Sequence, residues 1–207
     1  NIKWFATITT VNEAIQAQKA GADAIVVQGI EAGGHRGSFI AENAQENSIG
    51  LFSLLPAVAD ALDIPIIAAG GIADGRGMAA ALLLGASAVQ VGTGFLRSPE
   101  AKIPKVWAEA MNKSLPEDTV ATRAFSGRLG RSLKTKYAVD ANSKDAPSPA
   151  PYPIQRHLTQ EMRNNALKSE NLDGMQAWAG QSAKLALDIP ASEIVTKIWS
   201  DTRAILE

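Results

Sequence analysis

The sequence holds two histidines, and the first has neighbours that suit proton chemistry. His35 lies in the stretch EAGGHRGSF, shortly after the apolar segment 22–28. An imidazole exchanges a proton near neutral pH, and glycines on both sides allow a ligand to approach the backbone closely. We therefore interpret His35 as a candidate general base rather than as a loop histidine that only caps a turn. His157 follows a proline-rich stretch, without such a setting, and is interpreted as structural.

A second kind of chemistry is predicted where two apolar segments end in glycine. Gly-Gly at 70–71 follows the segment 64–69, and Gly-Thr-Gly at 92–94 follows the segment 86–91. Backbone N–H groups without side chains can point at phosphate oxygens, and a following helix N-terminus adds partial positive charge. The hydroxyl of Thr93 offers a further donor. One such turn is ordinary in a β/α protein, but two in succession predict a phosphate site.

Two glutamines end the otherwise apolar segments 22–28 and 86–91. The carboxamides of Gln28 and Gln90 each offer a donor and an acceptor, which suits the edge of a flat heteroaromatic ring. The same residues at the mouth of a barrel are equally compatible with contacts to water alone. The residue types leave both interpretations open.

These candidate residues are positioned by repeating strands and helices. The segments 3–9, 22–28, 64–69 and 86–91 have the apolar and β-branched composition of strands. GADAIVVQG and GASAVQVGT also share Gly-Ala-x-Ala where a helix leads into a strand. Such repetition is typical of parallel sheets, and in a TIM (β/α)8 barrel the phosphate turns follow the last two strands. We therefore predict an α/β fold in which this chain carries about the C-terminal half, four strands, of such a barrel.

Three regions are predicted along the chain. Residues 1–97 form the half-barrel, and residues 98–187 form a helical lid region that contains a proline-rich linker at 140–153. Residues 188–207 form a C-terminal helix that packs on the barrel, with Ser192 as its N-cap.

Composition restricts the classes of function. The 207 residues carry a formal net charge of -1 and contain no cysteine. The balanced charge gives no electrostatic case for nucleic acid or a membrane surface, and the apolar runs are too short for a bilayer. Without cysteine, disulfides, thiolate catalysis and cysteine-ligated metals are excluded, and no other metal-ligand cluster stands out. We expect a cytoplasmic protein whose partners are small molecules and copies of itself, such as a homodimer.

Three stretches in this order, GADAIVVQGIEAGGHRGSF, IPIIAAGGIADGRG and GASAVQVGTGFLRSPEA, resemble the nitronate monooxygenase family. The later pieces AFSGRLGR and MQAWAGQSA are similar to the C-terminal region of that family. The resemblance implies a barrel with a helical substrate-side domain and FMN at the mouth. It also implies oxidation of an alkyl nitronate by O₂ to a carbonyl compound and nitrite.

The resemblance also implies roles for individual residues. His35 matches the catalytic histidine of the family. Gln28 and Gly33 match positions near the isoalloxazine ring. The implied phosphate turns comprise Gly70 and Gly71, and Gln90, Val91, Gly92 and Thr93.

Other interpretations remain open at this point. A flavin-dependent enoyl-acyl-carrier-protein reductase shares the barrel and a Gly-His loop, and it would consume NADH. A phosphosugar enzyme would need a Schiff-base lysine or paired acids, which we do not find, and a passive flavin or phosphate binder is the third alternative. The first four strands of the family are absent from this sequence. We therefore expect open strand edges and the N-terminal half of the barrel as a required partner.

Overall fold

The structure, a computed structural model, describes residues 2–207, and its elements alternate between strand and helix in the first half. The strands are β1 Phe5–Ile8, β2 Ala24–Gln28, β3 Gly34–His35, β4 Ile66–Ala69, β5 Ala88–Gln90, β6 Thr119–Thr122 and β7 Gly130–Leu133. The α-helices are α1 Val11–Lys19, α2 Leu51–Ala59, α3 Gly75–Leu83, α4 Lys105–Lys113, α5 Lys136–Asp140, α6 Ile154–Leu158, α7 Gln160–Lys168 and α8 Ala191–Leu206.

Four strands form one parallel sheet in the order β1-β2-β4-β5. The register places Val27 beside Ile8 on one side and beside Ala68 on the other. These are the four strands that the sequence predicts, each two or three residues shorter than predicted. The fold prediction is confirmed: this is an α/β chain whose parallel strands and helices correspond to the C-terminal portion of a β/α barrel.

The helices between these strands begin at polar caps and bury one apolar face against the sheet. Thr10 and Glu13 form a capping box at the start of α1, and Asp74 accepts the N–H of Gly77 at the start of α3. Leu55 and Val58 of α2 are fully buried in the core beside the sheet. Each buried aliphatic side chain of this size contributes about 1.5–3 kcal/mol, so the core fixes the strand ends that carry the glycine turns.

A second sheet lies outside the parallel one and was not expected. Strands β3, β7 and β6 pair antiparallel, with His35 opposite Gly130 and Gly34 opposite Arg131. The region 98–187, predicted as a helical lid with a proline-rich linker, thus also contains the two strands β6 and β7. The sequences TVAT and GRSL show no clear alternation. β7 pairs with its near neighbour β6 on one side and with β3, about a hundred residues away, on the other, so no local signal marks this second pairing.

The rest of the region 98–187 packs around a second apolar core. Its buried residues include Met111 of α4, Leu133 of β7 and Met175. The proline-rich stretch contains no helix or strand from residue 141 to residue 153. From α7 the chain passes through a single 3-10 turn at Leu172–Gly174 into segment 177–182, which contacts the loops that follow β2 and β5.

Helix α8 packs on α3. Thr202 donates its hydroxyl to the carbonyl of Gly75 at 3.3 Å, and a Cβ at Gly75 would lie 2.5 Å from the Cβ of Asp201. The prediction of Ser192 as N-cap is wrong, because the helix already begins at Ala191. The N–H of Ala191 donates to the carboxylate of Glu100 at 3.1 Å, so a side chain from another element satisfies this helix start.

The two outer strands of the parallel sheet are open at one edge. Phe5 of β1 is 56% exposed, and Ala88 and Gln90 of β5 are exposed as well. Within residues 2–207, no helix combines the length and apolarity needed to cross a bilayer. The same residues contain no group of three or more potential metal ligands placed to hold an ion.

Candidate functional site

A cleft of about 110 Å³ opens at the carboxyl ends of β2, β4 and β5. This volume is below the roughly 300–1,000 Å³ of a whole small-molecule site, so the cleft suits one part of a larger ligand. Its lining brings together most of the residues that the sequence and the resemblance single out. These are Gln28, Gly33, Gly70, Gly71, Gln90, Gly92 and Thr93.

The two glycine turns present bare backbone to this cleft. Gly70 and Gly71 have φ values of 106° and 70°, in the left-handed region that favours glycine. A Cβ at Gly92 would meet nothing within 4 Å, so the space above that residue is open. Within residues 2–207, the N–H groups of these three glycines donate to no backbone or side-chain acceptor. The turns can therefore receive an anion's oxygens.

The sequence suggested that the N-terminus of helix α3, after the first turn, would help the turn's N–H groups to bind an anion. The structure differs. Asp74 caps α3 and also accepts from the guanidinium of Arg76. That carboxylate accepts the N–H of Gly77, the third residue of α3, and places negative charge near the turn. Anion binding at residues 70–71 would thus depend on the turn's own N–H groups.

Segment 177–182 covers one side of the cleft. Gly180 donates its N–H to Thr93 Oγ1 at 2.9 Å, and Gln181 donates to the carbonyl of Glu31 at 2.9 Å. A Cβ at Gly33 would lie 2.5 Å from the nitrogen of Gly180, so the two backbones touch. Because Thr93 Oγ1 already accepts a hydrogen bond, its proton is left to donate to a ligand.

Gln28 joins the cleft to the histidine. Its Nε2 donates to the carbonyl of His35 at 3.0 Å, and its Oε1 accepts from the N–H of Gly37 at 2.8 Å. The carboxamide thus holds the His35 loop, residues 35–39, and keeps one N–H and one lone pair for other contacts. Gln90 lines the cleft with an exposed side chain, whereas the side chain of Val91 packs against the core of the parallel sheet.

His35 lies beside the cleft and does not line it. It borders a small cavity of about 10 Å³ that shares Gln28 and Ala32 with the cleft. Its Nε2 lies 2.7 Å from the hydroxyl of Ser126, and its ring meets Trp178 edge to face, with centroids 5.3 Å apart. Tyr152 forms a second edge contact at 6.2 Å.

The surroundings of His35 favour its neutral form. Burial lowers the pKa of His35, and the nearby cations Arg128 and Arg156 lower this pKa further. Because its ordinary pKa is about 6.5, the imidazole is mostly uncharged at neutral pH and is able to accept a proton.

Arg36 is buried beneath the His35 loop. Its side chain is only 4% exposed and donates to the carbonyls of Gln28 at 2.5 Å and Asn47 at 3.3 Å. Burial lowers the pKa of Arg36 to about 10, with Glu13 and Glu31 acting in the opposite direction. The guanidinium remains charged at neutral pH and fixes the base of the His35 loop. Its Nε has no partner within the described residues.

Sequence reasoning missed the contacts that reach His35 from far along the chain. Ser126 and Trp178 lie in AFSGRLGR and MQAWAGQSA, which stood out only through the family resemblance. Tyr152 lies in the stretch that was treated as a surface linker. No spacing rule connects these residues to His35, since they are between 91 and 143 positions away.

Comparison with known proteins supplies a family. Residues 2–201 match a family model described as nitronate monooxygenase. A probable nitronate monooxygenase of Staphylococcus aureus strain MSSA476 is 43% identical over all 207 residues, and this chain covers 58% of its length. The chain thus spans less than two thirds of the curated relatives it matches.

Two solved structures share this fold. A nitroalkane oxidase from Streptomyces ansochromogenes superposes with a TM-score of 0.90 at 39% identity, over 98% of this chain and 59% of that one. FabK from Thermotoga maritima superposes with a TM-score of 0.80 at 33% identity, over 99% of this chain and 62% of that one.

Proposed function

Because the chain belongs to the nitronate monooxygenase family, we propose that it takes part in FMN-dependent oxidation of alkyl nitronates by O₂ to a carbonyl compound and nitrite. The observation that carries the proposal is the joint placement of two glycine turns and a neutral histidine about a shared glutamine. Relatives named for nitronate and nitroalkane oxidation support it.

The cleft fits the phosphate end of FMN. Gly70, Gly71 and Gly92 would donate backbone N–H groups to the phosphate, and Thr93 would donate its hydroxyl. The left-handed turn and the open space at Gly92 support this assignment, because a Cβ would strain the first and narrow the second.

The remaining residues of the cleft suit the ring end of the cofactor. Gln28 and Gln90 have carboxamide groups available, and Gly33 leaves the backbone bare beside them. When bound, FMN would carry electrons from the nitronate to O₂, while the protein contributes orientation and electrostatics. Val91 would contribute through its backbone only, since its side chain is packed away.

His35 would accept the proton that the substrate loses. With its pKa lowered by burial, the neutral imidazole can remove the proton next to the nitro group of a neutral nitroalkane. Toward a substrate that is already a nitronate, the ring would serve as a hydrogen-bond donor only in its protonated form, in which both ring nitrogens carry a proton. The cations Arg128 and Arg156 near this ring favour a negatively charged substrate.

Replacing His35 with Asn tests this division of roles. The proposal expects turnover of a neutral nitroalkane to fall 10²–10⁴-fold, the usual contribution of a positioned base. Nitronate turnover should fall much less, and FMN affinity should stay within about threefold. Nitrite release with each substrate and FMN fluorescence quenching measure the three quantities. Loss of FMN with unchanged turnover per bound flavin would contradict the assignment.

Dependence on NADH distinguishes this function from the enoyl-acyl-carrier-protein reductase considered in the sequence analysis. An enoyl-acyl-carrier-protein reductase would oxidise NADH with an enoyl thioester, whereas nitronate oxidation needs no pyridine nucleotide. We expect nitrite release without NADH. NADH consumption with an enoyl thioester, and no nitrite from a nitronate, would favour the alternative. A colourless preparation that does not bind added FMN would rule out both of these flavin-dependent functions.

The remaining expectations about assembly stand as proposals. The regions 1–97, 98–187 and 188–207 would serve as half-barrel, lid and packing helix. Further β/α units, the N-terminal half of the barrel, would cover the open edges of β1 and β5, in line with the greater length of the relatives. A homodimer is a prediction that light scattering would test.

A further inference from the structure

Ser126 and His35 belong to a small group of hydrogen-bonding atoms, and one placement of the protons gives each of these atoms a partner. The Ser126 hydroxyl is fully buried and lies 2.7 Å from Nε2 of His35. The same oxygen lies 3.3 Å from the N–H of Arg128 and 3.2 Å from its carbonyl oxygen. All three partners belong to the chain itself, so this oxygen has no need of water.

A serine hydroxyl has one proton and two lone pairs. The carbonyl of Arg128 can only accept, and within residues 2–207 Ser126 is its donor. If the hydroxyl donates to that carbonyl, its lone pairs accept from the N–H of Arg128 and from Nε2–H of His35. If it donated to Nε2 instead, the carbonyl would lose its partner. The first arrangement gives all of these groups a partner within the chain, and the fully buried Ser126 hydroxyl then uses its proton and both lone pairs.

We propose that Ser126 is a positioning residue that holds His35 as the Nε2–H tautomer, so that Nδ1 is the nitrogen that accepts the substrate proton. The inference rests on the proposed function for the identity of that substrate. In the proton-removal step the C–H bond next to the nitro group breaks and an Nδ1–H bond forms. The electron pair of the broken bond moves onto the nitro group, which becomes the nitronate.

The other groups packed against the ring are compatible with this orientation. Trp178 and Tyr152 contact the ring by their edges and hold its plane. The charged groups that act on it are Arg128, beside Ser126, and Arg156 of α6, and both are cations. Neither competes with Nδ1 as a proton acceptor, because arginine carries no acceptor.

The tautomer is measurable directly. The chain has only two histidines, so the His157→Asn variant leaves one imidazole for ¹⁵N NMR. We expect Nε2 to carry the proton at high pH and Nδ1 to show the shift of an unprotonated nitrogen. A dominant Nδ1–H form would overturn the inference without bearing on nitrite release, which tests the proposed function separately.

Ser126→Ala extends the test, with Ser132→Ala as the matched control. Both serines are fully buried, but the Ser132 hydroxyl donates to the carbonyl of Ala177, whereas that of Ser126 is the one bonded to the His35 ring. We expect Ser126→Ala to lower the pKa of His35 further, since an Nε2–H donor loses the acceptor that stabilises the imidazolium most. It should also cut kcat for a neutral nitroalkane about tenfold, part of the gain from a positioned base, with nitronate turnover nearly unchanged.

The direction of the pKa change decides between the two arrangements. If the serine donated to Nε2, its removal would raise the pKa of His35, and the inference would be wrong. An unchanged tautomer and pKa in Ser126→Ala would equally overturn it. If that variant does not fold, the tautomer of the chain with Ser126 intact still decides the matter.

Discussion

The two sides of the candidate site are built in different ways. The glycine-turn side, residues 64–94, is made by consecutive strands whose turns follow directly in sequence. The histidine side joins His35 to Ser126, Tyr152 and Trp178, which come from separate stretches of the chain. The first side is thus formed by local structure supported by a core, whereas the second exists only after distant segments meet.

This difference predicts how each side responds to substitution. On the glycine-turn side the ligand would contact backbone, so side-chain changes act by blocking space. On the histidine side the reacting group is a side chain held by other side chains. Changes there should alter proton chemistry and leave cofactor binding largely intact.

Gly180, two residues after Trp178 of the histidine side, donates its N–H to Thr93 of the glycine-turn side, and its substitution should have the largest effect on stability. A Cβ at residue 180 would lie 2.6 Å from the carbonyl oxygen of Glu31 and 2.9 Å from the nitrogen of Gly33. Gly180→Ala should reduce the free energy of unfolding by about 1–3 kcal/mol, because backbone atoms must move apart. Urea denaturation measures this loss.

Gly92→Ala is the matched control for Gly180→Ala, since a Cβ there meets nothing within 4 Å. Its free energy of unfolding should stay within about 0.5 kcal/mol of that of the unaltered chain. Equal losses of unfolding free energy in the two variants would show that the close approach of residues 33 and 180 does not contribute to stability.

The Gly92→Ala variant also tests whether the turn at residue 92 binds the phosphate of FMN. A methyl group in the open space above residue 92 should weaken FMN binding about tenfold, roughly 1.4 kcal/mol, by obstructing the approach of the phosphate to backbone N–H groups. Riboflavin lacks the phosphate, so its affinity should stay the same. Fluorescence titration of both ligands gives the comparison, and a parallel loss for riboflavin would assign the turn to another part of the cofactor.

The sequence predicted the glycine-turn side well for a physical reason. Apolar runs at 64–69 and 86–91 and the glycines that follow are contiguous, so composition alone marks strand, turn and helix. Gly70 and Gly71 have left-handed φ values, as the turn requires. The helix N-terminus that was expected to favour an anion carries the Asp74 carboxylate, which accepts the N–H of Gly77.

The histidine side was predicted only in part. Flanking glycines marked His35 correctly as a residue at a strand end, but β3 pairs with β7 rather than with the parallel sheet. The burial of Arg36 among backbone carbonyls depends on how the loop folds back, which no local pattern shows. On α8, Ile198 is buried while the neighbouring Trp199 is 51% exposed, because the apolar residues of a helix do not themselves show which of them find a partner.

The smallest expected effect is a pH dependence of stability that belongs to the histidine side alone. Burial lowers the pKa of His35 in the folded chain, so the unfolded chain binds its proton more readily. The free energy of unfolding should therefore fall as the pH drops below about 6.5, the ordinary histidine value, by at most about 1.4 kcal/mol per pH unit. Above that value the contribution of this group disappears.

His35→Asn isolates this contribution, and His157→Asn, an exposed position on α6, is the control. Urea denaturation at several values between pH 5 and pH 7 should show a weaker pH dependence in His35→Asn than in the unaltered chain, while the control keeps it. The glycine-turn side has no histidine, so Gly92→Ala should also keep it. An identical slope in all of these proteins would mean that the His35 ring is hydrated in the folded state, and the surroundings that make it a neutral base would then be absent.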